Sequence, residues 1–314
     1  MIDTIKGYKD LTNENYTYSD FEHLLENRNS YNDRASFNLD NFKVTIKFDC
    51  EKAVIINFNG SLPKFYYGSN LAQLDWVTLK KAVDFLSDNL CVDISDAILT
   101  RVDFGFSLIL ERPIKDYLFC ISDYPRKNLL DCKTSKKFFS NVNAVSFYDK
   151  LKELKSKQKE SYYSLPEVIR SNKILRYEIQ LKSSLNRVFN KDVFRINDLF
   201  DRKIQIEIQN RWINMYNKTN KISLSRNSHF LLAERNGIFK YLSYHGIEKL
   251  KYQKVLRIIE NLNFKMKSSS SKKSKMKASV KKIIDEVNKK ADKNNLLIEL
   301  DGKIKFIEEN FFVK

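Results

Sequence analysis

The chain has 314 residues, room for one large domain or two ordinary ones, and its 42% hydrophobic content can build a core, which excludes a disordered protein. No window reaches the length of a membrane span. The start, Met1-Ile-Asp-Thr-Ile-Lys6, lacks the apolar core of a signal peptide, so a soluble cytoplasmic protein with no membrane partner is expected. Lys and Arg number 56 against 39 Asp and Glu, a net charge of +17. Such an excess points to a polyanion, with nucleic acid favoured over a membrane surface. An AT-biased genome would explain lysine over arginine, but not the surplus of cations.

In chain order, Lys43-Val-Thr-Ile-Lys-Phe48 and Ala53-Val-Ile-Ile-Asn-Phe58 read as a hairpin, the second strand more fully buried. Gly60-Ser-Leu-Pro-Lys-Phe-Tyr-Tyr-Gly68 reads as an irregular basic loop. Leu79, Val83, Leu86 and Leu90 recur at helical spacing over 76–90. Leu99-Thr-Arg-Val-Asp-Phe-Gly-Phe-Ser107 alternates as a strand, and Pro113 opens a helix through about Ile121. Cys132 to Phe139 and Asn143 to Lys150 form a second hairpin, and Ile174-Leu-Arg-Tyr-Glu-Ile-Gln-Leu181 is a further strand. The expected fold class is α+β: an antiparallel-rich sheet with helices on its apolar face over residues 1–190, then a mainly helical domain over 191–314. In that second part Arg202 to Tyr216, Leu231 to Tyr244, Ile247 to Leu262 and Val280 to Ala291 carry helical periodicity. A basic, Ser-rich stretch near 265–279 reads as a linker, with its lysines available to duplex DNA. Leu296 to Ile307, with Asp301-Gly302 as the turn, reads as a hairpin, giving a helix-then-hairpin order like that of a winged-helix module.

Three strands carry the chemistry. Side chains alternate faces with period two. Val102, Phe104 and Phe106 therefore oppose Arg101, Asp103 and Gly105; Val145 and Phe147 oppose Ser146, Tyr148 and Lys150; Leu175, Tyr177 and Ile179 oppose Arg176, Glu178 and Gln180. In one sheet, the polar faces would pool two carboxylates, a phenol and three cations, a set suited to phosphodiester chemistry, with this face open and basic. Tyr148 is the candidate nucleophile. A free phenol titrates near ~10 and needs activation, which Lys150 is placed to give by lowering its pKa or holding the phosphate. Asp103 and Glu178 are candidate ligands for Mg²⁺ or Mn²⁺. Lys64, Arg101, Arg176 and Lys182 are candidate DNA contacts. Tyr66-Tyr67 and Tyr162-Tyr163 are rival tyrosines, and Asp103 with Arg101, or Glu178 with Arg176, would equally make cross-strand ion pairs.

Other signatures are missing. No G-x-x-x-x-G-K-[ST] supports ATP hydrolysis, and His23, His229 and His245 are far apart in sequence. Cys50, Cys91, Cys120 and Cys132 show no C-x-x-C spacing and are expected as reduced, mostly buried thiols.

Over roughly residues 40–190 the chain resembles the replication initiators of the filamentous-phage gene II/X family. The pieces are Gly60-Ser-Leu-Pro-Lys64 with Gly68-Ser-Asn70, Ile98-Leu-Thr-Arg-Val-Asp-Phe104, Phe147-Tyr-Asp-Lys-Leu-Lys-Glu-Leu154 and Leu175-Arg-Tyr-Glu-Ile-Gln-Leu-Lys182. The resemblance implies a rolling-circle initiator: a metal-dependent endonuclease that nicks one strand at an origin, keeps the 5′ end as a phosphotyrosine, and later rejoins the displaced strand. It places the nucleophile at Tyr148 and a basic partner at Lys150, with Asp103 and Glu178 as the flanking acids. Partners would be double- and single-stranded origin DNA, with host helicase and polymerase. The alternatives are a non-catalytic DNA-binding regulator of replication or transcription, and an RNA-binding protein using Tyr66 and Tyr67.

Overall fold

The computed structural model describes residues 1–25, 29–31, 33–182, 184–221, 236–262, 269–290 and 295–312. Its strands are β1 (Ile2–Asp10), β2 (Asn29–Tyr31), β3 (Arg34–Leu39), β4 (Phe42–Asp49), β5 (Lys52–Ser61), β6 (Ile98–Leu110), β7 (Ile121–Asp123), β8 (Asn128–Cys132), β9 (Ser135–Phe139), β10 (Asn143–Asp149), β11 (Lys173–Lys182) and β12 (Asn220–Lys221). Its α-helices are α1 (Leu62–Tyr67), α2 (Trp76–Leu90), α3 (Ile114–Cys120), α4 (Lys150–Lys157), α5 (Lys159–Tyr163), α6 (Glu167–Ser171), α7 (Leu185–Val188), α8 (Arg202–Asn217), α9 (Gly237–Leu250), α10 (Tyr252–Asn261), α11 (Ser269–Lys290) and α12 (Asn295–Phe311). The class is α+β. Ten strands form one sheet in the order β2-β3-β4-β5-β1-β6-β11-β10-β9-β8, every neighbour antiparallel, while β7 and β12 pair separately.

The apolar face is the one carrying Phe104, Phe147 and Ile179, and helices cover it. Trp212 of α8 meets Phe106 at 5.3 Å and Tyr177 at 4.7 Å between ring centroids, and Trp76 of α2 stacks on Phe104 at 6.2 Å. The phenol of Tyr177 donates to the Trp212 carbonyl at 2.9 Å, so the polar end of a buried ring is satisfied. Phe147 stacks on Tyr177 at 4.7 Å.

Several elements depart from expectation. β1, at the centre of the sheet, has no clean alternation in sequence, and its pairing with β6 slips between Ile2 and Ile5. The 60–68 segment is the end of β5 followed by a short helix: Ser61 caps it, Pro63 sits in its first turn, and Gly68 ends it in the left-handed conformation at φ 71°. The stretch expected as a winged-helix hairpin is the single helix α12, whose Leu300, Ile304 and Ile307 fall on one buried stripe. Part of the expected linker is helical in α11, while 263–268 lies outside the described residues. Of the Leu231–Tyr244 helix, only the part from Gly237 is described, as α9; His229 lies outside the described residues. The expected division at residue 190 coincides with no gap in the core, since Trp212, Leu300 and Ile304 belong to the same buried cluster as Phe104. Three of the four cysteines, Cys50, Cys91 and Cys132, are exposed rather than buried. No described helix is long and apolar enough to cross a membrane.

Candidate functional site

The register of β6, β11, β10 and β9 assembles the polar face row by row. Arg101 lies opposite Lys182. Asp103 lies opposite Gln180, which faces Ala144. Gly105 lies opposite Glu178, which faces Ser146 and then Lys137. Ser107 lies opposite Arg176, which faces Tyr148 and then Ser135. Asp103, Tyr148 and Glu178 therefore share one face, as period two requires. Gly105 makes the closest approach possible: a Cβ there would lie 2.6 Å from the Tyr177 carbonyl oxygen and 3.0 Å from the Glu178 Cα.

The phenol of Tyr148 donates to Glu178 Oε2 at 3.3 Å. The other carboxylate oxygen, Oε1, accepts from Gln180 Nε2 at 3.2 Å, and the same nitrogen donates to Asp103 Oδ2 at 3.1 Å. Arg101 grips Asp103 with two donors, Nε at 2.7 Å and Nη2. Arg176 donates to Asp3 at 2.8 Å and lies 3.9 Å from Glu178, and Asp3 accepts from Ser61 at 2.7 Å. Asp3 is a site residue that sequence reasoning missed. The slip in β1 places both Ile2 and Asp3 in buried positions, which hides the residue from any alternation pattern.

Three carboxylates (Asp3, Asp103, Glu178) thus share two guanidiniums, and the acidities follow. Burial raises Asp3, but Arg176, the Ser61 hydroxyl and Lys150 together pull it below the usual carboxylate range. Burial pushes Asp103 up against the pull of Arg101. Glu178 is pushed up to about 7 by burial and then by the charges of Asp103 and Asp3. Burial and the Glu178 charge push the Tyr148 phenol well above its ordinary value, and Arg176 is the cation that pulls it back.

Two expectations for this face change. Its centre is buried, not open: Asp103 and Arg176 are each only 1% exposed, so Arg176 cannot touch DNA and serves to hold Asp3 and Glu178. The face opens to either side of this centre, over β9 and β8 and over β1, β5 and β4, where Lys6, Asn59 and Lys43 are exposed. Lys150 is not on the strand but opens α4, capped by the Asp149 carboxylate, which accepts from the Lys152 amide at 3.1 Å. Its amine lies 5.7 Å from the Tyr148 ring centroid but donates to Glu153 at 3.0 Å, so its charge is already matched. The expected depression of the Tyr148 pKa by Lys150 is absent. Lys64 lies on α1, and Arg101 is committed to Asp103, while Lys182 is half-buried at the margin of the face.

Among the described residues no group of three His, Cys, Asp or Glu is gathered to hold a metal. Asp103 and Glu178 nevertheless fit a divalent cation as a pair. A single amide nitrogen already sits within hydrogen-bond distance of both, and the Gln180 Oε1 is buried without a partner. A flip of that amide exchanges nitrogen for oxygen, turning a donor toward the carboxylates into a ligand beside them. Compared with known proteins, the chain matches no family model, no curated protein and no solved structure.

Proposed function

We propose that the protein is a rolling-circle replication initiator, a DNA-nicking endonuclease and strand transferase that uses Tyr148 as its nucleophile. The observation that carries this reading is the hydrogen bond from the Tyr148 phenol to Glu178, a carboxylate poised near neutrality beside Asp103. A phenol held well above its ordinary pKa needs a base in contact with it, and Glu178 Oε2 is that base. As Tyr148 Oη bonds to phosphorus, its proton passes to Glu178 and the P–O3′ bond breaks. The 5′ phosphate stays on Tyr148, and the 3′ oxygen takes a proton to become a hydroxyl. Reversal by a 3′-OH rejoins the strand. Asp103, Glu178 through Oε1, and Gln180 would hold Mg²⁺ or Mn²⁺, which when bound would supply charge neutralisation for the phosphoryl oxygens. Arg176, 3.9 Å from Glu178 on the same face of β11, balances its charge, and Lys150 donates to Glu153 in the first turn of α4.

The net charge of +17 supports DNA as the substrate, and the gene II/X-like segments support an origin as the target. The test uses supercoiled plasmid carrying the DNA that flanks the protein's own coding sequence, with Mn²⁺. Open circles and DNA-linked protein are expected, with Tyr148 found in the linked peptide by mass spectrometry. Tyr148→Phe should form no covalent adduct, lose at least ~10³-fold in nicking and still bind the plasmid. Nicking by this variant at the wild-type rate would remove Tyr148 from the mechanism. Plasmid binding by the wild-type chain without any nicking would favour a non-catalytic DNA-binding regulator.

A further inference from the structure

The polar face does not end at Tyr148. Beyond β10 it continues over β9 and β8, where the helices lie on the opposite side. There Lys136 and Phe138, on the helix side, are buried, while Phe139 is 36% exposed and Leu130 on β8 is 54% exposed. Lys137 stands in the same row as Glu178, with Ser146 between them. Two interstrand steps put its Cα about 10 Å from that of Glu178. Phe139, two residues further on, shares the face of Lys137, and Leu130 pairs directly with Lys137 from β8.

The inner margin of this wing holds an electrostatic conflict. Lys182 lies directly opposite Arg101 across the β6–β11 ladder, and like charges so placed repel. Arg101 is satisfied by Asp103. Lys137 and Lys182 form no ion pair among the described residues. The Lys137 amine is pushed down by burial, then by Lys182 and Arg101, and Lys127 likewise by burial and Lys182. Lys137 also feels the charges of Glu178 and Asp103, but neither carboxylate pairs with it. Converging amines without an ion-pair partner, beside an exposed aromatic ring, leave room for an anion carrying flat apolar groups. Single-stranded nucleic acid has that chemistry: phosphates for amines, base faces for an aromatic ring.

We propose that the β8–β9 wing binds the single-stranded DNA flanking the reacting phosphodiester, with Lys137 and Lys182 holding a backbone phosphate and Phe139 stacking on a base. The inference rests on the nicking reading only in taking the substrate to be DNA. The wing would hold the strand flat along the face and so present the next phosphodiester to Tyr148.

The experiment measures binding without cleavage. Full-length protein is titrated with fluorescein-labelled (dT)10 in EDTA, by anisotropy, over a range of salt concentrations. Lys137→Gln should weaken binding about 5- to 10-fold and flatten the log–log salt slope by about 0.7, the value for one phosphate contact on a single strand. Lys137→Arg should restore most of both. Phe139→Ala should weaken binding about 5- to 100-fold with the slope unchanged, since stacking releases no counterion, and Phe139→Trp should recover it. Lys81→Gln, an exposed lysine on α2 at the helix-covered side, should change the affinity less than twofold. The proposal is overturned if wild-type protein does not bind (dT)10, if Lys137→Gln and Phe139→Ala bind it with wild-type affinity and slope, or if a 10-base-pair duplex loses as much affinity in both variants. The two readings fail separately. Nicking that survives Tyr148→Phe, with (dT)10 binding that depends on Lys137, removes the nucleophile and keeps the wing. Unaltered binding in Lys137→Gln, with Tyr148→Phe inactive, does the reverse.

Discussion

Glu178 faces two ways, with Oε2 toward the Tyr148 phenol and Oε1 toward Gln180 and Asp103. Its carboxyl titrates at about 7, against an ordinary value of 4.5, first because it is buried and then because Asp103 and Asp3 are charged nearby. Between these values the folded chain keeps a proton that the unfolded chain gives up, so stability falls as pH rises through that window. Glu178→Gln cannot ionise. Urea unfolding at pH 4 and pH 8 should therefore show the variant gaining roughly 3 kcal/mol on wild type between the two. An unchanged difference would mean that Glu178 is not the titrating group. The same proton reports on the cation. Mn²⁺ seated between Asp103 and Glu178 must displace it, so calorimetry near pH 6 in two buffers of different ionisation enthalpy should show close to one proton released, and almost none in Glu178→Gln. At this scale the sequence made Asp103, Tyr148 and Glu178 legible as one face, because strand alternation has period two. It could not show that the face is buried at its centre. That depends on which groups neutralise one another, and Asp3 arrives from a strand far away in sequence.

Strands were more legible than their neighbours. β4 alternates cleanly, and its limits and those of β10 are legible to within a residue; β5 is legible as a buried run, and β9 only as the end of a longer run from Cys132. β1 is hidden by its irregular pattern, and β8, as long as β9, is not set apart in the sequence from the run that begins at Cys132. α12 was misread because Asp301-Gly302 imitates a hairpin turn, while Leu300, Ile304 and Ile307, the helical signal, straddle it. The register of β6 against β11 has one vulnerable point. A methyl group on Gly105 would meet the Tyr177 carbonyl oxygen and the Glu178 Cα, both backbone atoms that cannot swing aside. Gly105→Ala should therefore part the two strands where Glu178 projects, at a cost of about 1–3 kcal/mol. Thermal melting would register the loss. Spectrophotometric titration of the phenols should also show the Tyr148 pKa moving back toward its ordinary value, a shift that overpacking elsewhere would not cause.

The molecule as a whole is more interlocked than a cutting domain joined to a binding domain. The phenols of Tyr117 and Tyr216 bond to Glu299 and Asp301 of α12, the latter at 2.5 Å, and Leu300, Ile304 and Ile307 are buried in the sheet's own core beside residues such as Phe104. Burying one aliphatic side chain contributes about 1.5–3 kcal/mol, so these three supply roughly 5–9 kcal/mol, a sum comparable to the whole stability of a typical domain. Truncation after Leu262 should therefore do more than remove basic residues. It should strip the cover from Trp212 and Phe106, and their apolar surface would meet water. The truncated chain is expected to show a red-shifted tryptophan emission, weakened near-ultraviolet dichroism and a melting temperature lowered by well over 10 °C, with nicking lost alongside. If instead it melts within a few degrees of the full chain and still cuts a single-stranded substrate, then α12 is an appendage, and the sheet with α2 and α8 closes its core alone.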